Sequence, residues 1–485
     1  MGIVQKQTSI NTIITFLGFG IGAINALLLY TTFLGKLHYG IVSTVLSGAN
    51  ILMPLMAFGA HSTLIRFFST YKTEKQREEF LTFMLFWPLV FIIPLAIIFG
   101  FFYDEIAYYW LRKNPELTDF FWLIPVVGFF MGYFEIFYAW VKVHMQSVVG
   151  NLISEVLVRV VVMILLFSVH WGWLSKSECV YGIAAAYFLQ LLIMKFYAFF
   201  VKRAVLRFQL PENIKQILAF SIFIIISGGV AVMLVDFDKM MIGSMMHISN
   251  NAVYSVAIFI ATVIIVPSRA MTQIVAPITA KFINENKIDE LNELYKSTAI
   301  NLQIIGGFLM LLIFINVNQF YLLLPKDYRG GVFVVFMIGL SKFYDVLLGN
   351  NNSIIINTKY YRMVLVFGLA TVLLMILLNW IFIPIYGING SAFATLLTIF
   401  AYNTTKLLFV VRKMKLYPFT SKTIVSFVVL IIGFSVFYFW DFPFHPIVNI
   451  ALKSILFTVF YGILVIKLAI SKEINEMVFK FLGRK

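Results

Sequence analysis

Fourteen stretches of about 20 mostly apolar residues run through this chain, at 11–34, 40–63, 80–102, 119–140, 151–170, 180–201, 216–235, 251–271, 299–321, 331–350, 362–384, 390–411, 423–441 and 446–468. A helix needs about 20 apolar residues to cross the hydrocarbon core of a bilayer, so each stretch has the length of one span. The runs are continuous, whereas the strands of a membrane barrel alternate in hydrophobicity over about 10 residues, so a barrel is excluded. With 61% hydrophobic and 12% charged residues, the chain has more apolar surface than a soluble core can cover. The expected fold is an all-α polytopic membrane protein of about 14 transmembrane helices.

A net charge of +15 raises the question of a nucleic-acid partner, but its placement argues against one. If the N-terminus faces inward, the inner segments carry 26 Lys and Arg and the outer segments seven, while Arg159, Lys195, Lys406 and Lys453 fall within spans. Basic loops on one side are the positive-inside signature of membrane topology. They place both termini in the cytoplasm and account for most of the basic excess without any nucleic acid.

The chain is organised around the stretch Val235–Phe282, which opens Val-Asp-Phe-Asp-Lys and closes with Arg269, Pro277 and Lys281. Acids and bases at the ends of an apolar span are costly in lipid and point to a water-filled interior. Tyr254 precedes Lys281-Phe282 by 27 residues, and Tyr39 precedes Arg66-Phe67 by the same 27, with Pro267 and Pro54 inside the respective spans. The glycines of spans one (Gly18, Gly20, Gly22) and seven (Gly228, Gly229), and Tyr-Gly-Ile at 181 and 386, extend the correspondence. These pairs indicate an internal duplication of six helices with a pseudo-twofold axis along the membrane normal. The expected organisation is an N-lobe (1–205), a C-lobe (206–416), and an accessory helix pair with a cytoplasmic tail (417–485). The span-one and span-seven glycines are read as close-packing positions, with a hinge as the alternative.

Several residues carry narrower expectations. Glu155 and Arg159 are four apart on a helix and should pair. Ile288, Leu291, Leu294 and Tyr295 share a face and suggest a short surface helix. Lys453 is expected to snorkel to the outer surface, with an anionic lipid contact as the alternative. Ile474, Met477, Val478, Phe481 and Leu482 form the apolar face of a helix lying on the membrane. Cys179 is the sole cysteine, so no intrachain disulfide is possible. The first run is too long for a cleaved signal, and no lipidation motif follows Gly2.

The Leu-Gly-x-x-x-Tyr-Gly-Ile entry to span two (34–41), Asp238-Lys239-Met240-Met241-Ile242-Gly243, and Tyr386-Gly387-Ile388-Asn389-Gly390-Ser391-Ala392-Phe393-Ala394-Thr395 resemble the bacterial polysaccharide and O-antigen flippases. These belong to the multidrug, oligosaccharidyl-lipid and polysaccharide exporter superfamily. The resemblance covers essentially the whole chain. It implies two pseudo-symmetric six-helix lobes around a cavity that opens alternately to either side, plus a C-terminal helix pair. It also implies a bacterial inner-membrane location and outward movement of an undecaprenyl-diphosphate-linked oligosaccharide for surface polysaccharide assembly, with a polysaccharide polymerase and chain-length protein as possible partners beside membrane lipids. Lipid II flippases of the superfamily carry cations on spans one, two and eight. Here span one offers Asn25 and the middle of span eight offers Thr262, which weakens a peptidoglycan-precursor role.

A diphosphate needs cations. Arg66, Arg269, Lys281 and Lys342 stand near the inner mouth and Lys36, His38 and Lys239 near the outer one, with the arginines ranked first for bidentate contact. Glu135, Asp236, Asp238 and Asp345 are the coupling or structural acids. The main alternative is a cation-coupled multidrug antiporter, which wants a deep carboxylate such as Glu135 or Asp345 and finds none in span one. A glycosyltransferase using Asp236-Phe237-Asp238 to hold a metal is the third class, and it lacks the extramembrane domain that such chemistry uses. No hydrolytic constellation, phosphate-binding glycine loop or cofactor motif is present, and the six histidines have no ligand spacing. The chain is expected to be a transporter and not an enzyme.

Overall fold

The computed structural model describes residues 2–203 and 205–481, and among these there is no strand. Each of the fourteen apolar runs is helical over most of its length. Among the described residues ten helices are long and apolar enough to cross a membrane, or eleven if the bent pair Ile214–Val230 and Val232–Met245 is one span. In lipid every backbone N–H and C=O must be bonded within the segment, which is why an apolar chain of this kind resolves into helices.

Two of the helices are far longer than a bilayer is thick. Arg362–Met414 has 53 residues, about 80 Å if straight, against roughly 30 Å of hydrocarbon. Its break is at Gly387, at φ 60 and ψ −136, a conformation that a side chain would resist. The helical stretch Ile10–Met56 is interrupted in the same way at Gly35, φ 81. Gly182, by contrast, sits in mid-helix within Lys176–Val201, so the two Tyr-Gly-Ile tripeptides occupy different local structures and say little about duplication. The proline-bearing spans do share a feature. Gly35–Met56 is followed by a turn and the helix Ala60–Phe67, and Ser249–Thr262 by the 3₁₀ turn Val263–Ile265 and the helix Val266–Asn284.

The chain divides into two compact units, Met1–Ser255 and Val256–Lys485. In the first, Phe80, Met84, Phe134, Trp140 and Met194 form the centre of a buried cluster. In the second, the helices Ser421–Phe437 and Pro446–Lys467 pack on Ile288–Leu323. Phe314, Phe343, Phe437 and Phe457 fill the space there, and the Tyr461 hydroxyl donates to the Ile304 carbonyl. Lipid tails are as apolar as these side chains, so the packing rests on close contact and buried hydrogen bonds more than on water exclusion.

Three local expectations change. The segment from Ile288 is no short surface helix but the first turns of the 36-residue helix Ile288–Leu323, and Leu291 and Tyr295 are buried against Ile354, Ile355, Val410 and Leu416. Lys453 neither snorkels nor faces lipid: it is 1% exposed and its ammonium pairs with Asp441 at 2.8 Å. A carboxylate twelve residues earlier in sequence is brought to it by the turn between the last two spans. Gly228 and Gly229 have no neighbour within 4 Å, so they do not serve close packing, and the helix bends by 52° just beyond them. Gly18 and Gly22 do serve it, since both face the Arg159 side chain, while Gly20 meets nothing. Of the tail, Lys472–Phe481 is helical, and Leu482 lies outside the described residues.

The approach of Gly35–Met56 to the turn before Ser249 depends on Gly40, where a Cβ would lie 2.3 Å from the Ile248 carbonyl oxygen. Backbone cannot yield as a side chain does, so Gly40→Ala should cost about 1–3 kcal/mol. A denaturant titration of the purified variant in detergent checks this, and an unchanged midpoint would show that the turn moves freely.

Candidate functional site

The first unit holds Asp236 and Asp238 at a seam between Gly35–Met56 and Ile214–Met245. Ser43, Ser47 and Asn50 recur at helical spacing, so their side chains line one face of the former helix, with Thr44 beside them. Asp236 is buried and accepts hydrogen bonds from Ser47 Oγ at 2.9 Å and Asn50 Nδ2 at 3.1 Å, with Lys239 Nζ 3.5 Å away. Asp238 is also buried and accepts from the Tyr254 hydroxyl at 2.9 Å. Asn251 Nδ2 donates to Thr44 Oγ1 at 2.7 Å and to the Lys239 carbonyl at 2.8 Å. Residues i and i+2 point to different sides of a helix, so the two aspartates take different partners and do not share a metal. Among the described residues no group of three His, Cys, Asp or Glu could hold one.

The predicted pair Glu155 and Arg159 is present, with Arg159 Nη1 2.9 Å from Glu155. Asn25 is buried and donates to the Arg159 carbonyl at 2.8 Å. It is a helix-to-helix tie at this position. Both Asn25 and Glu155 lie in π-helical segments, Ile24–Leu34 and Ile153–Leu157, a conformation that recurs at functional sites.

The proposed cations are not gathered at one point. In the first unit Arg66 is exposed with its guanidinium 4.2 Å from the Phe220 ring centroid, Lys36 is half-buried, and His38 Nε2 is 3.5 Å from Ser177 Oγ. In the second unit Arg269 is exposed, Lys342 is half-buried and partnered, and Lys281 lies 3.9 Å from Glu285. Lys287 lies 2.7 Å from the same carboxylate. The hydrogen bond from Lys287 holds the Glu285 carboxyl below its ordinary value. Among the described residues no carboxylate pairs with Arg66, Arg269 or Lys36. Glu135 is half-buried and makes no hydrogen bond or ion pair among them either.

A cluster not anticipated from the sequence lies in the second unit. The helices Val332–Leu347, Asn351–Ile356 and Arg362–Met414 enclose, with Ser268 and Thr272, a polar cavity of about 290 Å³. Asn403 Nδ2 donates to Asp345 Oδ1 at 3.1 Å. Lys406 is only 5% exposed, and its ammonium sits 4.1 Å from the Tyr402 ring centroid. Among the described residues it has no hydrogen bond or ion pair. A lysine within a lipid-spanning helix costs about 2.5–3.5 kcal/mol on insertion scales unless it meets a partner or water. The sequence signal was a base in the middle of an apolar run, shared with Arg159, Lys195 and Lys453; what separates Lys406 from Lys453 is that its ammonium forms no ion pair with the nearby acid.

A family model described as polysaccharide biosynthesis protein matches residues 4–283. The chain belongs to that family. None of the curated proteins matches it. Among solved structures, the fold is similar to the lipid II flippase MurJ in an inward closed conformation, at 14% identity over 95% of this chain and 99% of that one, with a TM-score of 0.72. An inward-facing MATE family multidrug resistance transporter of the MOP superfamily matches at 13% identity over 84% of this chain and 97% of its own, TM-score 0.63. A Pyrococcus furiosus transporter of the MOP superfamily, described as having a binding pocket of reverse polarity, matches at 14% identity over 84% and 96%, TM-score 0.58. At such identities the likeness is one of fold. This family member is therefore an all-α integral membrane protein whose fold is similar to that of the MurJ flippase and the MATE transporters.

Proposed function

We propose that the protein flips an undecaprenyl-diphosphate-linked oligosaccharide outward across the bacterial inner membrane by alternating access, for surface polysaccharide assembly of the O-antigen type. Both termini face the cytoplasm in this scheme, as the basic inner loops require. The six-helix halves 1–205 and 206–416 act as the moving bodies, and 417–485 is the accessory pair. A polymerase and a chain-length protein receive the product. The observation that carries the proposal is membership of a polysaccharide biosynthesis family in a chain whose fold is that of a lipid-linked precursor flippase.

Chemistry supports it. Arg66, Arg269 and Lys36 have no carboxylate partner and are available to a diphosphate, and a guanidinium offers it two parallel hydrogen bonds. In the second unit an apolar cleft of about 390 Å³, lined by Phe314, Phe336, Phe343 and Phe434 among others, has the character that an isoprenoid chain needs. An inside-negative potential favours outward movement of an anion by roughly 2.3 kcal/mol per charge per 100 mV, so no titrating group has to supply the drive.

The test is flipping of a diphosphate-linked oligosaccharide in proteoliposomes. Arg269→Ala and Arg66→Ala should each slow it about tenfold, the equivalent of about 1.4 kcal/mol, and an imposed inside-negative potential should shift the lipid outward. Flipping that is indifferent both to the potential and to the loss of Arg269 would overturn the proposal. The antiporter alternative is favoured by the MATE fold likeness and by Glu135, a half-buried carboxylate without a bonded partner. Resistance of cells to cationic dyes that disappears with Glu135→Gln would establish it.

A further inference from the structure

The geometry points to the Lys406 cavity of the second unit as a monosaccharide subsite, one that reads a single sugar ring of the cargo apart from its diphosphate. It rests on the carbohydrate cargo proposed above and adds where the sugar is recognised.

A lysine kept for structure takes the nearest acid, as Lys453 takes Asp441 at 2.8 Å in the same unit. Lys406 does not take Asp345. That carboxylate instead accepts from Asn403, and Asn403 Oδ1, in a residue that is 0% exposed, has no donor of its own. The cavity thus presents an ammonium whose contact is the Tyr402 ring face and a carboxylate with remaining lone pairs. The Ser268 and Thr272 hydroxyls and the Asn352 amide stand around them.

Lys406 and Asp345 cancel in charge, which decides among ligands. A diphosphate would meet Asp345 and a cation would meet Lys406. A sugar hydroxyl both donates and accepts, so adjacent hydroxyls on one ring satisfy an ammonium and a carboxylate together. A volume of about 290 Å³ lies at the lower end of small-ligand sites and takes one ring with some water, not a whole oligosaccharide.

Two probes separate this subsite from the diphosphate site: the free oligosaccharide released by mild acid from the host's lipid extract, and farnesyl diphosphate, which carries no sugar. Each is titrated into the full-length protein in nanodiscs. Lys406→Met should weaken oligosaccharide binding at least tenfold and leave farnesyl diphosphate binding unchanged. Asn352→Ala, at an exposed position that does not endanger folding, should weaken the oligosaccharide several-fold. The subsite is overturned if the wild-type protein does not bind the free oligosaccharide, if both variants bind it normally, or if Lys406→Met weakens both probes equally. Should the wild-type protein bind the oligosaccharide but not farnesyl diphosphate, the subsite stands and the diphosphate-linked cargo falls.

Discussion

Asp441→Ala should destabilise the protein by about 3–5 kcal/mol, the range expected when one partner of a buried ion pair is removed. The charge left behind belongs to Lys453, 1% exposed on the helix Pro446–Lys467. Asp441 is half-exposed at the turn that precedes this helix, and Asn449 holds the turn by donating to the Phe442 carbonyl at 3.0 Å. Water therefore reaches the acid while the base depends on it. Removing both charges, as in Asp441→Asn with Lys453→Met, should return most of the loss, because a neutral side chain of similar length needs no counter-charge there. Unfolding midpoints in detergent check the series. An alanine variant within about 1 kcal/mol of the parent would mean that Lys453 finds water or lipid phosphate once freed. Since this helix pair packs on Ile288–Leu323, loosening it should also expose the apolar cleft beside Phe314.

Asp236→Ala should have an effect of similar size, roughly 3–5 kcal/mol, for a different reason. It strips the acceptor from two donors, Ser47 and Asn50, and the counter-charge from Lys239. Unmet buried donors cost about 1–3 kcal/mol each. Ser47 and Asn50 donate to different oxygens of Asp236, so Asp236→Asn keeps an acceptor for one of them and loses the ion pair with Lys239; its loss should be about 1–3 kcal/mol, below that of alanine. If alanine and asparagine prove equally damaging, the charge and not the hydrogen bonding holds the seam. The same pair bears on transport. The seam links a helix of the half 1–205 to one of the half 206–416, so in the proposed cycle it opens and closes; with both acids held by hydrogen bonds, Asp236→Asn should leave flipping within a few-fold of the parent, whereas loss of a coupling carboxylate would abolish it.

Much of the fold was legible in order along the chain. Apolar length marks spans because lipid offers the backbone no other partner, and every one of the fourteen runs is helical. Spacing of four residues on a helix made Glu155 and Arg159 a pair before any coordinates. Helix starts carry local signals as well: Thr73 with Gln76, and Ser175 with Glu178, form capping boxes at the heads of two spans. Local sequence is silent where a polar or small residue takes a neighbour from far along the chain. Nothing near Lys453 in sequence marks Asp441 as its partner. The glycines at 228 and 229 look like those at 18 and 22, yet only the latter have a side chain against them.

The sequence by itself determined the helical class and the resemblance to polysaccharide flippases, because length, hydropathy and short motifs are properties of single segments. Which buried charges are satisfied was decided only by the tertiary structure. Lys406 and Lys453 are both bases inside apolar runs, and what distinguishes a joint from a candidate sugar site is whether folding brings a carboxylate within 3 Å. In a low-dielectric interior that difference of a few ångströms separates a closed pair from a cation that still requires a ligand.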